Sequence, residues 1–165
     1  MCDRVAVLDQ GKLQQFTTPE ELYDKPRDLF VAAFVGDPPM NLIDVQYRPE
    51  EPCLRSEHFS LSIMPGVSTA IERNSSSRQL VLGLRPDDIE LSREKKAGGF
   101  KGKVYVTEPL GGGVLVSFRF GDLTVRALAP HGFRTAMGDE LWITPRLDKI
   151  HLFEKESRSS LRYAH

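Results

Sequence analysis

The sequence lacks the features that mark membrane-spanning and secreted proteins. None of its apolar runs approaches the ~20 residues needed to cross a bilayer. The first residues carry Asp3 and Asp9 and contain no long apolar stretch, which is unlike a secretory signal. The two cysteines, Cys2 and Cys53, form neither a C-x-x-C pair nor a disulfide framework. We therefore expect a protein of a reducing cytoplasm, with free thiols.

Motifs that hold phosphate groups, metal ions or nucleophiles are missing too. The single glycine run, Gly111-Gly112-Gly113, is followed by Val114-Leu115-Val116 and by no Lys-Ser/Thr pair, so it favours a hairpin or bulge over a phosphate-binding loop. There is no G-x-S-x-G, H-E-x-x-H or calcium-loop pattern. The histidines are scattered: His58, His131, His151 and His165. We expect no catalytic residue, no cofactor-binding residue and no metal site in this chain.

Residues 1–40 predict a β-hairpin and two short helices. Asp9-Gln10-Gly11-Lys12 places a glycine where a tight turn between two apolar strands needs positive φ. Thr18 and Pro19 predict a helix start, with Glu21 completing a capping box, and Pro26 ends that helix. Asp28 predicts the start of a second helix over 29–35, ending at Gly36. This helix is apolar nearly all round, so we expect it to be buried on most sides, at a domain junction.

From residue 41 onward the pattern changes to short strands separated by Gly, Pro, Asn and Ser clusters. Such a pattern is typical of an all-β sandwich or barrel. The predicted strands are 42–48, 53–55, 58–63, 79–85, 100–108, 114–120, 122–129, 139–144 and 149–153. We place a domain boundary after Asp37-Pro38-Pro39 and divide the chain into 1–40, a β-rich domain over 41–154, and a polar, frayed tail over 155–165.

Two segments of this region echo one another. Residues 84–91 and 144–152 both read as an apolar strand, a Pro with Arg, an Asp, and then Ile-x-Leu. Two copies of a strand–turn–strand unit would suit a barrel built from related halves.

Two charged residues, Arg85 and Glu108, each end an apolar strand beside a proline. One interpretation is a salt bridge or backbone hydrogen bond that fixes a barrel corner. The other is a regulatory or interface contact, to a partner subunit or a small anion.

The order of motifs resembles one family. Residues 3–11 (DRVAVLDQG) and 18–26 (TPEELYDKP) are similar to the end of the nucleotide-binding domain in ABC import ATPases, and residues 30–41 to the helix and linker that follow. Gly83-Leu84-Arg85-Pro86-Asp87 and Glu108-Pro109-Leu110-Gly111 resemble two signatures of the TOBE-type OB-fold domain. The Met40-Asn41 pair resembles the carbohydrate and glycerol-phosphate uptake branch.

The resemblance implies a mainly β, OB-fold-like (TOBE) barrel behind the hairpin and two helices of an ATPase domain. The Walker A, Walker B, signature and switch-histidine motifs are absent, so the chain resembles a fragment that is not an enzyme alone, whereas its parent would bind ATP and Mg²⁺. The implied role is regulation and homodimerisation in a sugar or glycerol-phosphate importer. The implied partners are permease subunits, reached through the missing ATPase domain, and a regulatory protein. The implied location is the cytoplasmic side of the plasma membrane, peripheral and without direct insertion.

Two alternatives stay open. A small-ligand sensor would bind an oxyanion or metabolite in the barrel, as related molybdate-binding barrels do. A single-strand nucleic-acid OB-fold would need stacking aromatics on a basic groove. Phe118, Phe120 and Tyr105 could alternate onto one face, but a net charge of −1 disfavours phosphate neutralisation, and core packing explains these rings more simply.

Overall fold

The computed structural model describes residues 3–161 of the chain. It begins with an antiparallel hairpin, β1 (Val5–Asp9) and β2 (Lys12–Thr17), in which Asp9 pairs with Lys12. Gln10 and Gly11 have φ of +47° and +78°, so the turn has the positive-φ geometry expected of this sequence. Cys2 lies outside the described residues, and Cys53 is a free thiol.

Two short helices follow, α1 (Pro19–Asp24) and α2 (Leu29–Phe34). The Thr18 side chain accepts a hydrogen bond from the Glu21 backbone N–H at 3.3 Å, as predicted. A capping box also requires the Glu21 side chain to accept a hydrogen bond from the Thr18 backbone N–H. This part of the prediction is wrong, because the Glu21 carboxylate accepts a hydrogen bond from the Thr17 hydroxyl instead. Asp28 caps α2 through the Val31 N–H at 3.0 Å.

Helix α2 is less buried than its composition predicted. Val31 and Ala32 are fully buried, but Phe34 is 70% exposed and stacks on Phe30 along the outer side. The helix has only six residues. It buries Val31 against the hairpin and Ala32 against the β-rich domain, so its third side lies uncovered by any described residue.

The β-rich domain consists of two five-stranded sheets. One sheet has the order β10-β9-β8-β11-β7 and the other β12-β6-β3-β4-β5. The first six strands are β3 (Asn41–Arg48), β4 (Cys53–Arg55), β5 (Ser60–Ser62), β6 (Gln79–Leu84), β7 (Ile89–Ser92) and β8 (Phe100–Leu110). The remaining four are β9 (Gly113–Phe120), β10 (Leu123–Ala129), β11 (Glu140–Pro145) and β12 (His151–Glu154). This mainly β architecture confirms the predicted fold class.

The main core lies between the two sheets and a third helix, α3 (Pro65–Asn74), which the sequence did not predict. Helix α3 contributes Val67 and Ile71 to this core. The Phe118 ring is fully buried and Phe120 packs against the same core, so these two rings are structural. Tyr105, for which core packing was also the simpler explanation, is instead 47% exposed.

The echoing segments occupy equivalent places. Strand β6 runs through a 3₁₀ turn (Pro86–Asp88) into β7, and β11 runs through a turn into β12. Each unit pairs with the other, since Gly83 lies opposite His151 and Ile89 opposite Pro145. The Arg146 N–H donates to the Asp88 carbonyl at 2.9 Å where the two turns meet. The two units therefore interlock and join the two sheets.

The C-terminal segment returns to the fold as far as residue 161, although a frayed tail was expected. Ser159 and Ser160 form bridges to Asp28 and Phe153, and Leu161 is buried. Residues 162–165 lie outside the described part of the chain. The division at residues 40 and 154 stays a prediction. None of the helices within residues 3–161 is long and apolar enough to span a bilayer.

Candidate functional site

The candidate site is the corner between β6 and β7, where the Arg85 side chain extends from the β-rich domain to the N-terminal segment, residues 3–36. Arg85 is 1% exposed. Its Nη2 donates to the Tyr23 carbonyl at 2.6 Å and its Nη1 to the Val35 carbonyl. The guanidinium carbon lies 3.8 Å from the centre of the Tyr23 ring, a cation–π distance. Arg85 thus caps the ends of both α1 and α2.

Asp87 completes the corner. The Tyr23 hydroxyl donates to both Asp87 carboxylate oxygens, at 2.9 and 3.0 Å. Burial, followed by the hydrogen bond to Asp87, raises the pKa of Tyr23 to about 12. Burial also lowers the pKa of the Arg85 guanidinium. Because the pKa of Tyr23 lies far above neutral pH, its phenol stays protonated and can donate to Asp87 while its ring faces the Arg85 guanidinium.

Gly36 lets the chain approach Arg85. It has φ of +117°, and a Cβ built on it would lie 2.9 Å from Arg85 Nη1. A side chain here would displace the guanidinium. Gly36 is therefore required both by its backbone conformation and by the proximity of Arg85.

Arg85 donates hydrogen bonds to backbone carbonyls, which was one of the two interpretations of this residue. These carbonyls belong to residues 23 and 35 of the N-terminal segment, however, and not to the barrel corner itself. Tyr23 and Asp87 were not predicted as its partners. Both lie within the family-like motifs at 18–26 and 83–87, and that was the only signal the sequence offered for them.

Glu108 lies elsewhere, on an exposed end of β8. Residues 108–110, which we call the β8 tip, are all exposed. The Glu108 backbone pairs with Leu115 of β9, but its side chain makes no hydrogen bond or ion pair with any residue in 3–161, and the structure does not join it to Arg85. A regulatory or interface role for Arg85 and Glu108 stays a prediction.

Asn41 is a second junction residue. Its Nδ2 donates to the Leu84 carbonyl at 3.0 Å and the Arg126 carbonyl at 2.8 Å, and its Oδ1 accepts from the Arg126 N–H at 2.7 Å. Beside it, Met40 Sδ would lie 2.5 Å from a Cβ on Gly83. The Met40-Asn41 pair thus fastens the start of β3 to both sheets.

A groove of about 700 Å³ runs along β4 and β5, and it does not form a chemical centre. Its charged lining is mixed: Arg48 and Arg55 share the groove with Glu50, Glu51 and Glu57. This mixture gives an oxyanion no net attraction. Among the described residues, no group of three or more His, Cys, Asp or Glu side chains could hold a metal ion.

The two sheets and their interlocked corners define an OB-type β protein, and the comparisons agree. The MalK OB fold domain matches residues 36–89, and the TOBE domain matches residues 82–153. The two matches overlap at 82–89, which is the Arg85 corner. A solved structure of the cytoplasmic molybdate-binding protein ModG has a TM-score of 0.52 over 68% of this chain and 94% of its own, at 9% identity, and so shares the fold alone.

Relatives of known role cover nearly the whole chain. The xylose/arabinose import ATP-binding protein XacK of Haloferax volcanii is 35% identical over 98% of this chain and 42% of its own length. The trehalose/maltose import ATP-binding protein MalK of Thermococcus litoralis is 31% identical over 98% and 45%. The sn-glycerol-3-phosphate import ATP-binding protein UgpC of Escherichia coli K12 is 32% identical over 95% and 43%.

The chain therefore belongs to the family of ABC importer ATP-binding subunits, of which it carries the OB-fold and TOBE domains. It spans less than half the length of the relatives it matches.

Proposed function

We propose that this chain is the regulatory and dimerisation part of the ATP-binding subunit of an ABC importer for sugars or glycerol-phosphate, without catalysis of its own. One observation carries the proposal. Relatives named for importing pentoses, trehalose or maltose, and glycerol-3-phosphate match 95–98% of this chain with less than half of their own length. ATP and Mg²⁺ would bind to the rest of the parent subunit.

The proposed partners follow from the same placement. The parent would couple ATP binding to transport through permease subunits, which it would contact with its ATPase domain. It would act at the cytoplasmic face of the plasma membrane as a peripheral subunit. Two copies of the β-rich domain would meet across a two-fold axis, because a homodimer whose ATPase domains separate needs a second interface that persists.

The β8 tip is the proposed contact between copies. It lies beyond the core, and it places exposed Leu110 near Glu108, whose side chain makes no hydrogen bond or ion pair with a described residue. The hairpin offers a comparison surface on the other part of the chain, where Leu8 and Leu13 are 60% and 56% exposed. Both surfaces could cause association by apolar contact, so the experiment must separate them.

Sedimentation velocity of the purified chain at high micromolar concentration tests the proposal. We expect a dimer that Leu110→Ser and Glu108→Ala weaken, and that the hairpin control Leu13→Ser leaves intact. A strict monomer would refute dimerisation by this part of the subunit. Dissociation by Leu13→Ser but not by Leu110→Ser would place the contact on the hairpin and refute the β8 tip.

A further inference from the structure

The N-terminal segment, residues 3–36, has a small core of its own. Val7, Leu22 and Val31 are buried together, and Val5, Phe30 and Val35 pack around them. This cluster is separate from the main core between the two sheets. The hairpin and α1 are thus held together by contacts that do not depend on the barrel.

Three sets of contacts fasten this segment to the barrel. Apolar packing joins Ala32 of α2 to a cluster with Val81 and Phe153. Backbone hydrogen bonds join Leu29 to Arg158 at 3.0 Å and Ser160 to Arg27 at 2.9 Å. The third set is the Arg85 corner, which is the one made by charged and polar side chains.

The Arg85 corner differs from the other two sets in its chemistry. Its two protein hydrogen bonds run from the guanidinium to carbonyls of the N-terminal segment, and Arg85 Nε has no protein partner. Asp87 is exposed, so water reaches the carboxylate to which Tyr23 donates. Arg85 itself is buried, but the Tyr23–Asp87 bond at this water-accessible edge can exchange for water, and the Arg85 bonds to the two carbonyls can do so once the segment separates, whereas core packing cannot.

We propose that Arg85, Tyr23 and Asp87 form a latch between the ATPase-side segment and the barrel, in which Arg85 is a positioning residue for the ends of α1 and α2. When the latch opens, the N-terminal segment separates from the barrel as a unit while the barrel stays folded. The assignment of the segment to an ATPase domain rests on the proposed function. The latch itself rests on the contacts above.

Hydrogen exchange measured by mass spectrometry on the whole 165-residue chain tests the latch. Arg85→Lys keeps the charge but loses the forked geometry that reaches two carbonyls at once. We expect exchange in peptides from residues 5–35 to rise about ten- to hundredfold, with β9 and β11 unchanged, because charge-assisted hydrogen bonds to that segment are lost. Arg146→Lys is the matched control, because Arg146 is the equivalent arginine in the echoing unit and its ion pairs reach only Asp88 and Asp148.

Two further variants keep the proposal testable if Arg85→Lys fails to fold. Tyr23→Phe and Asp87→Asn remove or weaken the phenol–carboxylate bond and leave Arg85 in place, so we expect a smaller but equally local rise. A rise spread evenly over the barrel would overturn the latch and make Arg85 a general stabilising residue. No rise in any variant that folds would overturn it too.

These outcomes are independent of the proposed function. A monomeric chain with a local rise in exchange would keep the latch and reject the proposed dimerisation. A dimeric chain in which Arg85→Lys raises exchange evenly would keep the proposed dimerisation and reject the latch.

Discussion

Replacing Asn41 with alanine should destabilise the whole β-rich domain. The Asn41 side chain is buried, with the residue 6% exposed, and makes three hydrogen bonds of 2.7–3.0 Å to the backbone at Leu84 and Arg126. Asn41→Ala removes all three and leaves backbone groups of both sheets without this partner. At roughly 1 kcal/mol for each hydrogen bond, the free energy of unfolding should fall by about 3 kcal/mol.

Urea unfolding followed by far-ultraviolet circular dichroism measures this loss. With a slope of roughly 2 kcal/mol per molar, the midpoint should fall by about 1.5 M with the slope unchanged. Asn74→Ala is the control, because the Asn74 side chain is exposed at the end of α3, where its Nδ2 donates to the Ala70 carbonyl at 3.0 Å; loss of this exposed contact should cost less, about 1 kcal/mol or below. Asn41→Asp should be about as destabilised as Asn41→Ala, because a carboxylate cannot donate to the Leu84 and Arg126 carbonyls. A loss for Asn41→Ala no larger than that for Asn74→Ala would refute the reasoning.

Three further predictions concern the corner, the glycine run and the β8 tip. The pKa of Tyr23 in the folded chain, about 12, lies above the ordinary value of 10.0. The stability that the protonated Tyr23 phenol contributes is therefore fully present below pH 10 and is lost between about pH 10 and 12. Asp87→Asn should lower that pKa in a spectrophotometric tyrosinate titration, and an unchanged curve would contradict the hydrogen bond assigned between Tyr23 and Asp87. Gly113→Ala places a Cβ 2.2 Å from the Ala129 carbonyl oxygen, so it should lower the free energy of unfolding in urea by about 2 kcal/mol or more. In the control Gly112→Ala the new Cβ meets nothing within 4 Å, so the free energy of unfolding should change by less than about 0.5 kcal/mol. Equal effects of the two substitutions would refute the clash at Gly113. At a protein concentration low enough to keep the chain monomeric, Glu108→Ala should leave the urea midpoint unchanged, since the side chain is exposed and has no described partner. A clear loss of stability under that condition would show a structural role within one chain instead.

Local signals in the sequence predicted much of the fold. The Asp9–Lys12 turn and the two helix starts at Thr18 and Asp28 each rest on contacts within four residues, so their side chains and glycines are sufficient to place them. All nine predicted strands of the β-rich domain are present, with ends shifted by a few residues. The predicted strands 114–120 and 122–129 leave one residue between them, and the structure joins β9 to β10 by a tight turn at Gly121, where φ is +56°.

The elements that were missed carry fewer local signals. Helix α3 has Pro65 in its first turn, but Met64 before it provides no side-chain cap, and the helix contains the β-branched residues Val67, Thr69 and Ile71. Its burial against the main core stabilises it in place of a cap. Strand β7 has only four residues and owes its pairing to β11, more than fifty residues further along the chain.

The sequence pointed to Arg85 as a candidate residue, but it did not predict which groups Arg85 would contact. Arg85 stood out because a charge ended an apolar strand beside a proline. Its partners, Tyr23 and Val35, are 62 and 50 residues away in sequence. Periodicity and capping rules extend over a few residues only, so they could not bring these groups together.

The central claim is that this chain acts through contacts with other proteins and performs no chemistry on nucleotides. Release of phosphate from Mg-ATP by the purified 165-residue chain tests that claim most directly, with Gly113→Ala protein purified in parallel as a preparation control. We expect no phosphate release that increases with protein concentration. Turnover that scales with the wild-type chain and falls as the chain is unfolded by urea would contradict the account.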